Sequence, residues 1–163
     1  MLKLSFNGLL LLAALAASNT WAQSLSVTQI ELKDLRGSSS AVSYDNSKPT
    51  VLMFFQPDCR WCKKQGKVMA KLLEQCGNKI HFNLVGDKGS RTKLKRELRH
   101  FADALPAQQN SKLFARKSGG VIGYPTTLVL DTNGEVLAKK RGAIEEAKLI
   151  KLASQLSDGE CEL

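Results

Sequence analysis

The distribution of apolar and polar positions changes period several times along the chain, and each change marks an element. Thr50–Gln56 holds a continuous apolar run, Val51 to Phe55, between Pro49 and Pro57. Such a run predicts a central strand buried on both faces. The period then becomes helical. Trp61, Val68, Met69, Leu72 and Leu73 recur at helical spacing, with Lys63, Lys64, Lys67 and Lys71 around the other side and Gly77 placed to cap the end. Ile80 to Val85 alternates apolar and polar and reads as a second strand. Ser90 can cap a helix from Arg91 to about Leu105, with Leu94, Leu98, Phe101 and Leu105 on its core face and Pro106 as its stop. A shorter helix over Ser111–Lys117 ends at Gly119-Gly120. Thr126–Leu130 is β-branched and predicts a strand. The turn Asp131–Gly134 returns it as an antiparallel partner over Glu135–Lys140, and Ile144–Leu156 forms the last helix. Ahead of all this, Ser24–Tyr44 carries Val27, Ile30, Leu32 and Leu35 without a sustained period, so short strands and a turn are expected there. Strands alternating with helices and closing on a hairpin predict an α/β domain with a mixed sheet.

The N-terminus obeys a different logic. Lys3 precedes an apolar run from Gly8 to Ala17, and Thr20 and Ala22 hold the −3 and −1 positions of a small-residue cleavage site. The run is the length of a signal-peptide core and short for a membrane span. The expectation is a signal peptide over residues 1–22, cleaved after Ala22, and one domain over residues 23–163; a retained anchor is the alternative. No cysteine follows the apolar run, which argues against a lipoprotein.

The chain has 163 residues, 43% hydrophobic and 24% charged, with a net charge of +9. This composition is that of one globular domain and argues against disorder. Export gives the four cysteines their meaning. Cys59, Cys62, Cys76 and Cys161 all lie beyond the cleavage site, and in an oxidising compartment they are expected to be paired or redox-active.

Cys59-Arg60-Trp61-Cys62 stands where the buried strand turns into the amphipathic helix. Unsatisfied N–H groups and the helix dipole at that end stabilise a thiolate on the first sulfur. The second sulfur, one turn on, can form or break a disulfide with it. Cys59 is thus the candidate nucleophile and Cys62 the resolving thiol. Arg60, Lys63 and Lys64 add positive charge and should depress the Cys59 pKa further. Two plainer readings compete, a structural disulfide and half of a zinc or copper site. The metal reading lacks a second Cys-x-x-Cys, and His81 and His100 show no ligand spacing. A second signal is Gly123-Tyr124-Pro125-Thr126-Thr127 at the head of a strand. Such a proline can be cis and leave the preceding backbone open to an incoming strand, or it can be an ordinary trans residue at a strand start.

Taken together, Phe54-Phe55-Gln56-Pro57-Asp58-Cys59-Arg60-Trp61-Cys62-Lys63, Gly123-Tyr124-Pro125-Thr126-Thr127, Asp131-Thr132-Asn133-Gly134-Glu135 and Gly142 resemble the thioredoxin-like superfamily. The likeness is to its exported bacterial Dsb and TlpA-like thiol–disulfide oxidoreductases, over about residues 48–157. It implies a sheet of four or five strands flanked by helices, and a cis Pro125 facing Cys59 and Cys62. It also implies a substrate groove shaped by Tyr124 and Pro125 and rimmed by Trp61. In such a fold the first and last helices share a face of the sheet, so a structural Cys76–Cys161 disulfide follows from the resemblance. The sequence departs from thioredoxin in two ways. Met53 stands where thioredoxin has a buried acid, and Arg60-Trp61 replaces its Gly-Pro dipeptide.

The function expected is a periplasmic thiol–disulfide oxidoreductase acting on protein thiols and disulfides. It needs no organic cofactor or metal and is cycled by a membrane-bound redox partner, because the periplasm has no thiol buffer of its own. A monomer is expected, since one domain leaves little room for a dimerisation module. The alternatives are a copper-binding protein or a redox-inert binding protein on the same fold. Lys88 to His100 carries six cations against Glu97. This stretch is either a solvated helix face or a docking surface for an acidic partner or a membrane. Nucleic acid is not expected, as no binding motif accompanies the charge.

Overall fold

A computed structural model describes residues 27–37 and 47–161. The expected signal peptide, its cleavage site and the stretch 38–46 lie outside the described residues. The elements run β1 (Lys33–Asp34), β2 (Thr50–Phe55), α1 (Arg60–Cys76), β3 (His81–Gly86), α2 (Arg91–Glu97), β4 (Ala107–Gln109), α3 (Lys112–Lys117), β5 (Thr126–Leu130), β6 (Val136–Arg141) and α4 (Glu146–Leu156), with short 3-10 turns at Val27–Gln29 and Leu98–His100.

The strands form one mixed sheet of six, ordered β1-β4-β3-β2-β5-β6. β2, β3 and β4 are parallel, and β5, β6 and β1 run antiparallel to their neighbours. The α/β class and mixed sheet are as expected. The count exceeds the four or five strands implied by the resemblance because two very short strands, β1 and β4, extend one edge.

The apolar run of β2 is divided between two cores by the period of the strand. Val51, Met53 and Phe55 face a layer containing Met69, Leu72, Leu94, Leu149 and Ala153 from α1, α2 and α4. Leu52 and Phe54 face a layer containing Phe114 and the N-terminal Val27, Ile30 and Leu32. All six β2 residues are buried, which is why no alternation shows in its sequence. β6 is exposed along its length and carries Lys139, Lys140 and Arg141, charges that discourage pairing with another sheet edge.

Three boundaries differ from the sequence reading. The helix expected over 91–105 ends at Glu97, and Phe101 is already extended at ψ 144°. Phe101 and Leu105 still enter the core, but from a loop. The loop carbonyls of Ala102 and Leu105 accept from the Arg36 guanidinium at 2.6 and 2.8 Å. Residues 107–109 form β4, which local periodicity did not reveal. α4 begins at Glu146 and not Ile144, because Glu145 is extended at ψ 143°; the Ile144 amide ahead of it donates to the Gln65 side chain at 2.9 Å. Gly77 caps α1 with φ −65°, so its role is close approach to Leu73 and not the left-handed conformation.

Gly66 is the tightest point of the α1 layer. A Cβ there would lie 2.5 Å from the Phe101 ring, and that ring packs on Phe55 at 5.0 Å between centroids. The glycine inside the helix is therefore a packing requirement, despite its cost in helix propensity.

Candidate active site

Three strand ends meet at one edge of the sheet. β2 and β3 are parallel, so their C-terminal ends lie together, with Phe55 opposite Gly86. β5 is antiparallel to β2, and its first residue, Thr126, pairs with Phe54. The loop 56–59, the turn 87–90 and the Tyr124–Pro125 segment are thus neighbours by register alone. Ligand sites in open α/β sheets gather at such an edge.

Cys59 is the N-cap residue of α1, and its sulfur accepts the Cys62 amide at 3.1 Å. Asp58 just before it turns the chain with φ 60°. Cys59 and Cys62 are joined as a disulfide, with Cα atoms 5.2 Å apart. The two sulfurs are not equivalent. Cys59 keeps 8% of its surface exposed, while Cys62 is at 0%.

The cation set around the pair is more varied than its sequence implies. Arg60 is exposed. Lys63 forms an ion pair with Glu97 at 3.0 Å, and Glu97 is 6% exposed. Much of the Lys63 charge is therefore answered locally by a carboxylate from α2 rather than left to act on Cys59. Lys64 lies over the Trp61 ring at 4.7 Å, a cation–π contact. Trp61, although on the helical spacing of the apolar face, is 55% exposed and outside the core.

The Tyr124–Pro125 peptide is cis. The Tyr124 hydroxyl donates to Asp87 at the end of β3. Burial, then this hydrogen bond and the Asp87 charge, push the Tyr124 phenol far above its ordinary pKa, so it remains a donor. The Thr126 hydroxyl donates to the Gly123 carbonyl at 2.7 Å, and the Gly142 amide donates to the Pro125 carbonyl at 2.8 Å. These bonds hold the segment on both flanks. Trp61 and Val68 of α1 face Tyr124, Pro125 and Ile144 across an open, largely apolar groove of about 730 Å³.

Sequence inspection missed Gln65, Asp87 and Glu97, each a single polar residue within an otherwise ordinary stretch. Gln65 is 2% exposed. Its amide nitrogen donates to the Thr127 hydroxyl at 2.7 Å, and its oxygen accepts from Ile144 N–H at 2.9 Å. It thereby ties α1 to β5 and to the loop forming the far wall of the groove. The one signal that could have found it is a polar residue on the buried side of the α1 helical wheel. Gln65→Met keeps the volume but leaves a buried hydroxyl and an amide unpartnered. The expected loss is about 1–3 kcal/mol, checked by urea denaturation, with faster hydrogen exchange at the Ile144 amide.

At the far end of α1, Cys76 is bonded to Cys161 just past α4, with Cα atoms 5.5 Å apart and a separation of 85 positions in sequence. Both are buried. The four cysteines thus form two pairs with different surroundings, one at the exposed sheet edge and one closing the packing of α1 on α4.

Comparison with known proteins agrees with this geometry. The Bacillus subtilis (strain 168) thioredoxin-like protein YneN is 28% identical over 110 residues, covering 64% of this chain; the chain spans only 63% of that relative's length. Among solved structures, MTB DsbF in mixed oxidised and reduced forms superposes with a TM-score of 0.69 at 18% identity, covering 80% of this chain and 96% of that one. A secreted Mycobacterium tuberculosis disulfide oxidoreductase, described as homologous to E. coli DsbE, gives a TM-score of 0.66 at 13% identity, covering 80% and 98%. Residues 40–157 match the family described as the thioredoxin-like domain, and the chain belongs to that family.

Proposed function

We propose that the protein is an exported thiol–disulfide oxidoreductase that exchanges disulfides with protein substrates through Cys59 and Cys62. The observation that carries this reading is the asymmetry of the pair: the N-cap residue of α1, which keeps 8% of its surface exposed, is bonded to a residue that keeps none. In the oxidised protein a substrate thiolate attacks Cys59 Sγ. The Cys59–Cys62 bond breaks, its electron pair leaves on Cys62, and a mixed disulfide forms. A second substrate thiolate then attacks the substrate sulfur of that bond and releases Cys59 as a thiolate. The substrate has lost two electrons and the protein dithiol has gained them. The reverse sequence reduces a substrate disulfide, with Cys59 attacking and Cys62 resolving. The Cys62 amide and the α1 dipole stabilise the Cys59 thiolate in either direction.

Tyr124, Pro125 and Trp61 bind the substrate chain in this reading. An extended segment pairs with the backbone ahead of Pro125 while its side chains enter the groove against Trp61 and Ile144. Arg60 tunes the potential from the exposed side, with Lys63 contributing less because of Glu97. The Cys76–Cys161 pair is structural. The secreted relative and the N-terminal pattern support a periplasmic location and a signal peptide over residues 1–22. Residues 23–163 then form one domain, cycled by a membrane-bound partner. Among the described residues no helix is long and apolar enough to cross a membrane.

The test is the reduction potential of the Cys59–Cys62 pair, by equilibration with dithiothreitol or glutathione. A value near about −120 mV makes the protein a disulfide donor, and one near about −270 mV a reductant. A pair that cannot be cycled overturns the proposal. The copper reading, with the two thiolates as soft ligands, predicts instead tight Cu(I) binding that Cys59→Ser removes.

A further inference from the structure

A second hollow, of about 470 Å³, shares no lining residue with the apolar groove, and its character is polar. Its floor is the loop Gln56–Pro57–Asp58, and its wall is the turn after β3 together with α2. Lys88, Lys93, Arg96 and Arg99 line it. All four are exposed. The Arg99 Nε donates to His100 at 3.2 Å, whereas Lys88, Lys93 and Arg96 have no side-chain partner among the described residues. The carboxylates present are Asp58 and Glu97, and Glu97 is already occupied by Lys63.

The placement of this charge is built into the backbone. The Asp87 amide donates to the Phe55 carbonyl at 2.8 Å, tying the turn to the end of β2. Lys88 and Gly89 follow with φ 53° and 143°. A Cβ on Gly89 would lie 3.2 Å from Pro57 Cγ, so the glycine lets the basic turn seat directly on the active-site loop. A merely solvated helix face would need no such seating. The cations are also not spread over a flat surface, as electrostatic attraction to a lipid bilayer would favour. They converge on a concavity lined by Asp58, the residue next to Cys59.

We propose that this hollow docks an acidic segment of the polypeptide whose thiol or disulfide reacts at Cys59. The inference rests on the oxidoreductase reading above and names a substrate or partner class for it. A reacting cysteine flanked by Asp or Glu lays its acidic flank in the hollow. The four cations then steer it and hold its sulfur at the exposed face of Cys59. Complementary charge of this kind acts chiefly on encounter rate and is weakened by salt.

The experiment uses the protein in its dithiol form at Cys59 and Cys62 and an excess of disulfide-linked peptide dimers. Each peptide carries one cysteine, flanked by acidic, neutral or basic residues. Each turnover transfers two electrons from the dithiol to the peptide disulfide, releasing two peptide thiols and leaving Cys59–Cys62 oxidised. The readout is the ratio of acidic-peptide to neutral-peptide rates, which cancels any change in the reactivity of Cys59 itself. A ratio of about ten at low ionic strength, collapsing toward one in about 0.5 M salt, is expected. The triple charge reversal Lys88→Glu, Lys93→Glu and Arg96→Glu lies on exposed positions and should bring the ratio below one and favour the basic peptide. A wild-type ratio near one, or a variant that keeps the acidic preference, overturns the docking proposal. So does a ratio near one combined with charge-dependent binding to phosphatidylglycerol vesicles, which would make the patch a membrane contact. If dithiothreitol itself fails to exchange with the Cys59–Cys62 pair, the oxidoreductase reading falls first and the docking proposal with it.

Discussion

Cys59→Ser is expected to abolish disulfide exchange with protein substrates, by at least about three orders of magnitude, the scale of losing a nucleophile. Cys62→Ser is expected to behave differently. Cys59 is the residue of the pair that keeps some exposed surface and Cys62 keeps none, so in this reading the Cys62 variant retains the attacking group and loses the resolving one. It should accumulate a covalent mixed disulfide with substrate, visible as a mass increase on a non-reducing gel and removed by dithiothreitol. Equal loss in both variants without a trapped species would remove the asymmetric assignment. Trapping through Cys62 in the Cys59 variant would reverse it. Substitution at Trp61 or Tyr124 should leave exchange with dithiothreitol nearly unchanged and slow exchange with proteins, because those side chains belong to the groove and not to the sulfur chemistry.

The second large effect lies at the other end of α1. The double variant Cys76→Ala/Cys161→Ala opens a loop spanning 85 residues and unties α4 from α1. Removing the cross-link is expected to cost about 2–4 kcal/mol, most of it through the unfolded chain. For a domain of this size the midpoint of thermal unfolding should fall by about 10 °C. The reduction potential of the Cys59–Cys62 pair should stay within about 10 mV, since the two bonds occupy opposite ends of a 17-residue helix. Calorimetry and a glutathione equilibrium on the same preparation separate the two roles. A large potential shift without a stability loss would instead identify the second pair as an electron relay.

Much of the site was visible before any coordinates. The Cys-x-x-Cys motif sits at a strand-to-helix junction that the change of hydrophobic period announces by itself. The consequence for Cys59, an N-cap sulfur bonded to the Cys62 amide, needs only local backbone geometry. Pro125 was legible as a marked proline, although its own neighbourhood left cis and trans open. The groove was less legible. Gln65 looks like any helical polar residue until Thr127 and Ile144, far along the chain, arrive to meet it. Lys63 looks like one more cation beside the cysteines until Glu97 takes its charge.

The same division runs through the fold. Local pattern by itself determined the chain's main strands and helices, the α/β class and the candidate thiol pair, because periodicity, caps and turn residues act between neighbours a few positions apart. Tertiary structure alone decided how the stretch after Glu97 packs, with Phe101 seated on Phe55 and the carbonyls of Ala102 and Leu105 held by Arg36 from 66 and 69 residues away. It decided the sixth strand, the Tyr124–Asp87 bond that holds the proline segment, and the seating of the basic turn on Pro57. These contacts join single residues across long stretches of chain. A lone polar or glycine residue carries no period, so its partner is set only when the sheet register brings the strand ends together.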